Sequence, residues 1–373
     1  MNEDRATRYH RSRRRIALAS IVAAAALLLT LLASGRSNEL AAWARAAVPP
    51  LAWPLRPLLV MAVYVGMLAA AWELLSFPFV FSRSFLLDRK YGLTSEPVST
   101  WFGDHLKAFA LGLAFTLCAA AGMYGAMRAS PRWWWLIATG MFVTAAAVMF
   151  RVAPIWLMPI FYRFQPLDRA ALRERLLTLS SRAGVPVLGA FEWGLGEKTS
   201  RANAALVGAG RTRRILVSDT LLKDYSDDEI EVILAHELAH HVHHDIWTSL
   251  AVETALVGAA LLSAHLAARY ASPPFGLRGA ADLAALPILI LAGGAVSLLL
   301  APISNAWSRR NERRADRFAL RLTDRPAAFV SAMRRLGAQN LAEARPPRLA
   351  FWFLHTHPTI DERIASARAF KSP

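Results

Sequence analysis

Residues 226–268 read SDDEIEVILAHELAHHVHHDIWTSLAVETALVGAALLSAHLAA. Two different patterns meet in this stretch. Ser226 with Glu229 fits a capping box, the start signal of a helix that carries Ile230, Val232, Ile233 and Leu234 into His236-Glu237-Leu238-Ala239-His240. From 246 to 268 the chain turns apolar for long enough to cross a bilayer, interrupted by Glu253 and His265. On a helix, residues four apart differ by about 40° in azimuth, so His236 and His240 point the same way and can share one zinc ion. Glu237 is swung about 100° from His236 and can reach a water at the metal without taking a coordination position. That is the placement of a general base that activates water and later protonates a leaving amine.

Working outward, further apolar runs lie at 16–35, 57–81 (with Glu73 inside), 107–127, 133–160 and 282–304. The run at 133–160 opens on Trp133-Trp134-Trp135, an interfacial anchor, and closes near Pro154 and Pro159, which kink a helix or mark its exit. The fold class expected is mainly α: a polytopic membrane protein of about six spans with a cytoplasmic zincin-type metalloprotease domain containing a small β-sheet. Composition agrees, since 55% of the 373 residues are hydrophobic and only 19% charged, against about 25% charged for a soluble domain. A disordered chain, a small secreted scaffold and an ordinary cytosolic enzyme are excluded.

The net charge of +16 gathers beside the apolar runs, as in Arg13-Arg14-Arg15. Positive flanks mark the cytoplasmic side of spans, and without an aromatic-basic groove they do not indicate nucleic acid. Residues 16–35 read as a retained signal anchor. Both termini, 82–106, 162–245 and the segment after 305 then fall in the cytoplasm. The single cysteine, Cys118, lies in an apolar run, so an intramolecular disulfide and cysteine-based metal sites are ruled out.

The chain divides into four segments: 1–161 with four spans, 162–245 as a soluble insert, 246–304 with two spans, and 305–373 as a cytoplasmic helical segment. In the insert, 167–183 has helical spacing, and short apolar runs at 185–193, 204–207 and 215–217 suggest strands. A zincin needs a third protein ligand. In NAWSRRNERRAD at 305–316, Glu312 and Asp316 share a helix face, which would let Glu312 ligate and Asp316 hydrogen-bond a ligand imidazole. On spacing alone, a solvated salt-bridge face among the surrounding arginines is the better reading.

HELAH followed by SRRNERRAD resembles the zinc-dependent CAAX prenyl protease family of type I. So do YGLTSEPVSTWFGDHLK at 91–107, MPIFYRFQPL at 158–167, SRANAALVG at 200–208, RRILVSDTLL at 213–222 and HTHPTIDERI at 355–364. The resemblance implies one zinc ion held by His236, His240 and Glu312, with Glu237 as catalytic base. It further implies that Asn203, Ala204 and the strand they open hold an extended substrate backbone, that His357 stabilises the oxyanion, and that Arg363 binds a substrate carbonyl or carboxylate. Relative to eukaryotic members, the most N-terminal span is missing and the acidic insertion some carry before H-E-x-x-H is absent. His241, His243 and His244 follow the motif and read as secondary to it, interfacial or weakly metal-binding. Glu73, Glu253 and His265 would line a hydrated chamber among the spans.

The expectation is an integral-membrane zinc endopeptidase of a bacterial inner membrane, its site toward the cytoplasm, acting on peptide or protein substrates, lipid-linked or not, among membrane lipids. Two alternatives are a heat-shock-type quality-control zinc protease and a non-proteolytic membrane chaperone. Intact catalytic and ligand residues count against the second.

Overall fold

A computed structural model describes residues 2–371. The membrane part opens with α1 (Asn2–Ala33), α2 (Arg36–Ala47) and α3 (Leu55–Phe81), then a π-helical turn into α4 (Leu87–Lys90). It continues with α5 (Val98–Ala129), α6 (Trp134–Val152) and, through a second π-helical turn at Ala153–Leu157, α7 (Met158–Phe161). Pro154 opens that turn, where a missing N–H and a ring clash favour a widened helix. The soluble lobe follows as β1 (Phe164–Pro166), α8 (Ala170–Arg182), β2 (Ala190–Trp193), β3 (Ala204–Val207), β4 (Arg214–Ser218), α9 (Asp219–Asp224) and α10 (Asp227–Val242). Then come α11 (Asp245–Tyr270), α12 (Leu286–Thr323), α13 (Pro326–Gln339), α14 (Arg348–Leu354) and α15 (Ile360–Arg368).

Among the described residues, six helical stretches are long and apolar enough to cross a membrane: Arg5–Ala33, Leu55–Lys90, Val98–Ala129, Trp134–Phe161, Asp245–Tyr270 and Leu283–Thr323. The six expected spans are therefore all present. Their outer faces leave Leu74, Trp156 and Leu299 more than 70% exposed, a cost in water and none in hydrocarbon. Inside the bundle Tyr64, Tyr124 and Trp134 are fully packed. The helix α2 wedges between spans, with Ser37 Oγ donating to the Ala284 carbonyl at 2.7 Å. Polar groups within the spans find partners on neighbouring helices: Glu73 on His105 at 2.6 Å, His265 on the Trp134 indole at 3.0 Å, and Glu253 on Ser304.

The sheet order is β1-β2-β4-β3, with β2 parallel to β4 and the other pairs antiparallel. The strand β3 is thus an edge. A second core, built from Leu172, Leu176, Ile215, Ile230, Leu234, Leu238 and Phe329, joins the sheet, α8, α10 and α13. The capping box opens α10: Ser226 N–H donates to Glu229 Oε2 at 2.8 Å and Glu229 N–H to Ser226 Oγ at 3.3 Å. The helix α12 runs unbroken from the last span into the soluble lobe, carrying Glu312 and Asp316 alongside α10.

Candidate active site

Because α10 and α12 pack side by side, the His/Glu motif of one meets the acidic pair of the other. One ligand atom each from His236, His240 and Glu312 lies within 4.8 Å of the others. His236 Nε2 is 3.1 Å from Glu312 Oε2 and His240 Nε2 is 3.6 Å from Glu312 Oε1. The opposite ring nitrogens are also held by carboxylates. His236 Nδ1 is 2.9 Å from Asp316 and His240 Nδ1 is 2.9 Å from Asp245. A proton fixed on each Nδ1 leaves each Nε2 lone pair facing the cluster. Glu312 Oε2 is buried and accepts no well-directed hydrogen bond. Two imidazole nitrogens and one carboxylate oxygen, with an orphaned buried acceptor, are a donor set that would hold a divalent metal ion such as zinc.

The supports continue outward. Arg363 grips Asp316 through Nε at 2.9 Å and Nη2 at 2.6 Å, while Arg314 holds Asp245. Burial opposes charge on His236, but the Asp316 and Glu312 carboxylates outweigh it and push its pKa up to about 9. Burial raises the Glu237 carboxyl above its ordinary range, with His236 and His240 pulling the other way.

Glu237 and His236 face a cavity of about 680 Å³ that also takes Asn203, Ala204, His357 and Arg363 into its wall. His357 is exposed, with Nε2 3.4 Å from Glu312 Oε1 and Nδ1 2.8 Å from Thr356 Oγ1. Arg363 is almost covered, donates to Asp316 through Nε and Nη2, and contributes to the cavity wall. The trailing histidines sit outside the His-His-Glu cluster. His241 is buried and bonded to Leu206 O at 3.1 Å. His243 bonds Ala239 O and stacks edge-on against Phe318. His244 takes a left-handed conformation at φ 55° and links α10 to α11. Asp245 escaped the sequence reading. Its signal was an acid in the first turn of the span directly after the histidines, where it also faces a helix N-terminus.

Apolar helices of spanning length around a two-helix His-His-Glu cluster, with a glutamate and an edge strand on one cavity, define a membrane-embedded metallopeptidase of the H-E-x-x-H kind. The profile of Peptidase family M48 matches residues 166–371, and that of the CAAX prenyl protease N-terminal region, five membrane helices, matches residues 2–163. The chain is 31% identical over 346 residues to the "Uncharacterized metalloprotease YhfN" of Bacillus subtilis (strain 168), covering 91% of this chain and 79% of that protein. It is 25% identical over 325 residues to CAAX prenyl protease 1 of Saccharomyces cerevisiae, covering 81% of this chain and 71% of that protein. The crystal structure of S. mikatae Ste24p superposes with a TM-score of 0.85 at 20% identity over 99% of this chain and 89% of that one, so the two share a fold. The chain belongs to peptidase family M48 and is an integral membrane metalloprotease.

Proposed function

We propose that the protein is a zinc endopeptidase using one ion held by His236, His240 and Glu312, with its site open to the cytoplasm. The observation that carries this reading is that His236 of that cluster and Glu237 line the cavity whose wall includes the opening of the edge strand. When bound, zinc supplies a Lewis acid that polarises water and the scissile carbonyl. Glu237 accepts the proton of the attacking water at its carboxylate and delivers it to the departing amine. Its raised pKa suits a group that must both take and return a proton. His357, at the mouth beside Glu312, stabilises the oxyanion. Arg363 acts chiefly by fixing Asp316, and through it the His236 ring.

The substrate backbone lies extended along β3, entering at Asn203 and Ala204, since an open strand edge binds main chain with little regard for sequence. Cytoplasmic orientation is supported at α1, whose basic N-terminal end docks on the soluble lobe: Arg14 pairs with Glu343, and His10 Nε2 is 2.8 Å from Leu341 O. Backbone capture needs no lipid, so the substrates include unlipidated peptides. The test is cleavage of a farnesylated CAAX peptide and its unprenylated twin by detergent-purified protein, with Glu237→Gln as the blank. Cleavage of both is expected. Cleavage confined to the farnesylated peptide would replace the substrate class, and cleavage of neither would overturn the reading.

A further inference from the structure

The outer side of β3 is only partly open. Ser218 N–H donates to Asn203 O at 2.9 Å and Asn203 N–H to Ser218 Oγ at 3.0 Å, so Asn203 faces β4. On β4, Ile215 N–H donates to Gly189 O at 3.0 Å, so Ile215 faces away from Leu206, its partner in register. Backbone groups alternate sides along such a pair. Ala204 and Leu206 therefore turn N–H and C=O outward, while Ala205 and Val207 bond inward. A free edge of this length offers two rungs to an added strand.

One rung is taken. His241 Nε2 lies 3.1 Å from Leu206 O, and since a carbonyl only accepts, the imidazole donates. His241 is 9% exposed and belongs to α10, the helix that also carries the motif, so its ring is fixed relative to the cluster. The cavity wall reflects this: it includes Ala202, Asn203 and Ala204 and stops short of Leu206.

We infer that His241 is a positioning residue that closes the substrate-binding edge at Leu206, so that an added peptide pairs through a single rung at Ala204 and leaves the strand there. This rests on the edge-strand reading above. One rung limits main-chain pairing to the substrate residue opposite Ala204, whereas a second would extend the paired segment by two residues. His241 touches neither metal cluster nor substrate, and acts only by withholding one acceptor.

The test is a backbone N-methyl scan of a ten-residue unprenylated peptide, one position at a time and omitting the scissile bond, with kcat/KM and the cleavage site read by mass spectrometry. Wild type is expected to show one sensitive N–H on this edge, losing about fivefold or more. His241→Leu removes the donor and is expected to add a second sensitive position two residues away. His241→Gln restores a donor and is expected to return the scan to the wild-type pattern. Two sensitive positions two residues apart in wild type would overturn the inference while leaving edge pairing intact, and that result does not depend on the variants folding. One sensitive position in His241→Leu would also overturn it. No sensitive position in any form would remove edge pairing itself.

Discussion

His240 Nδ1 lies 2.9 Å from Oδ2 of Asp245, the first residue of α11. The orientation of one candidate ligand is therefore set from the start of a membrane helix, while that of the other, His236, is set by Asp316 from α12. Asp245 is 4% exposed, so its carboxylate is held by His240 and Arg314 with little competition from water. Asp245→Asn keeps the shape and removes the charge. It is expected to lower zinc affinity about 10- to 100-fold, measured by competition with a chromophoric chelator. Wild-type affinity in that variant would mean that the His240 ring is oriented by packing alone.

Glu237 and Glu312 face the same cluster but are assigned different work, and a pair of variants separates them. Glu237→Gln is expected to retain stoichiometric zinc and lose at least about 100-fold in turnover. Glu312→Ala is expected to lose the metal, because it removes one of three donors and leaves the other two imidazoles without their shared carboxylate. Metal analysis after gel filtration decides both. Full zinc in Glu312→Ala would place the third ligand elsewhere.

Metal uptake should depend on pH with a definite sign. With its pKa raised to about 9, His236 carries a proton in the metal-free protein at pH 7 that zinc must displace. Apparent affinity is then expected to rise about tenfold per pH unit from 7 toward 9 and to level off above. Titration calorimetry in buffers of different ionisation enthalpy would show release of about one proton at pH 7 from this group. An affinity flat between pH 7 and 9 would show that His236 is already neutral.

The sequence carried the spans and the motif helix because both are local signals: run length for one, a cap plus i,i+4 spacing for the other. It also placed β3 and β4, whose apolar runs are bounded by glycine and polar turns. Glu312 and Asp316 were visible only as a same-face pair among arginines, and what turns that pair into a site is the long-range packing of α12 on α10, which no local pattern encodes. Asp245 was hidden for the same reason, since its partner lies across a helix break at His244. The helix α2 went unread because Arg36 and Arg45 bracket a mixed stretch that becomes helical against α3, where Ser37 meets Tyr64. In the sequence His241, His243 and His244 form one run. The fold separates them, giving each ring a different neighbour.

The last prediction concerns the start of α10. Ser226 and Glu229 exchange hydrogen bonds across the first turn, and just beyond it Arg175 binds Glu231 at 2.9 and 3.0 Å and also reaches Asp228. Ser226→Ala removes a cap oxygen that satisfies an otherwise orphaned N–H and is expected to cost about 1 kcal/mol, read as a lower melting temperature in detergent. Ser226→Asp supplies another cap oxygen next to the positive end of the helix and should recover most of the loss. Zinc stoichiometry should stay at the wild-type value in both, because His236 lies more than two turns further on, where α10 is packed against the sheet and α12. A drop in metal content in Ser226→Ala alone would show that fraying of the first turn reaches the motif, and that the cap positions the site as well as the helix.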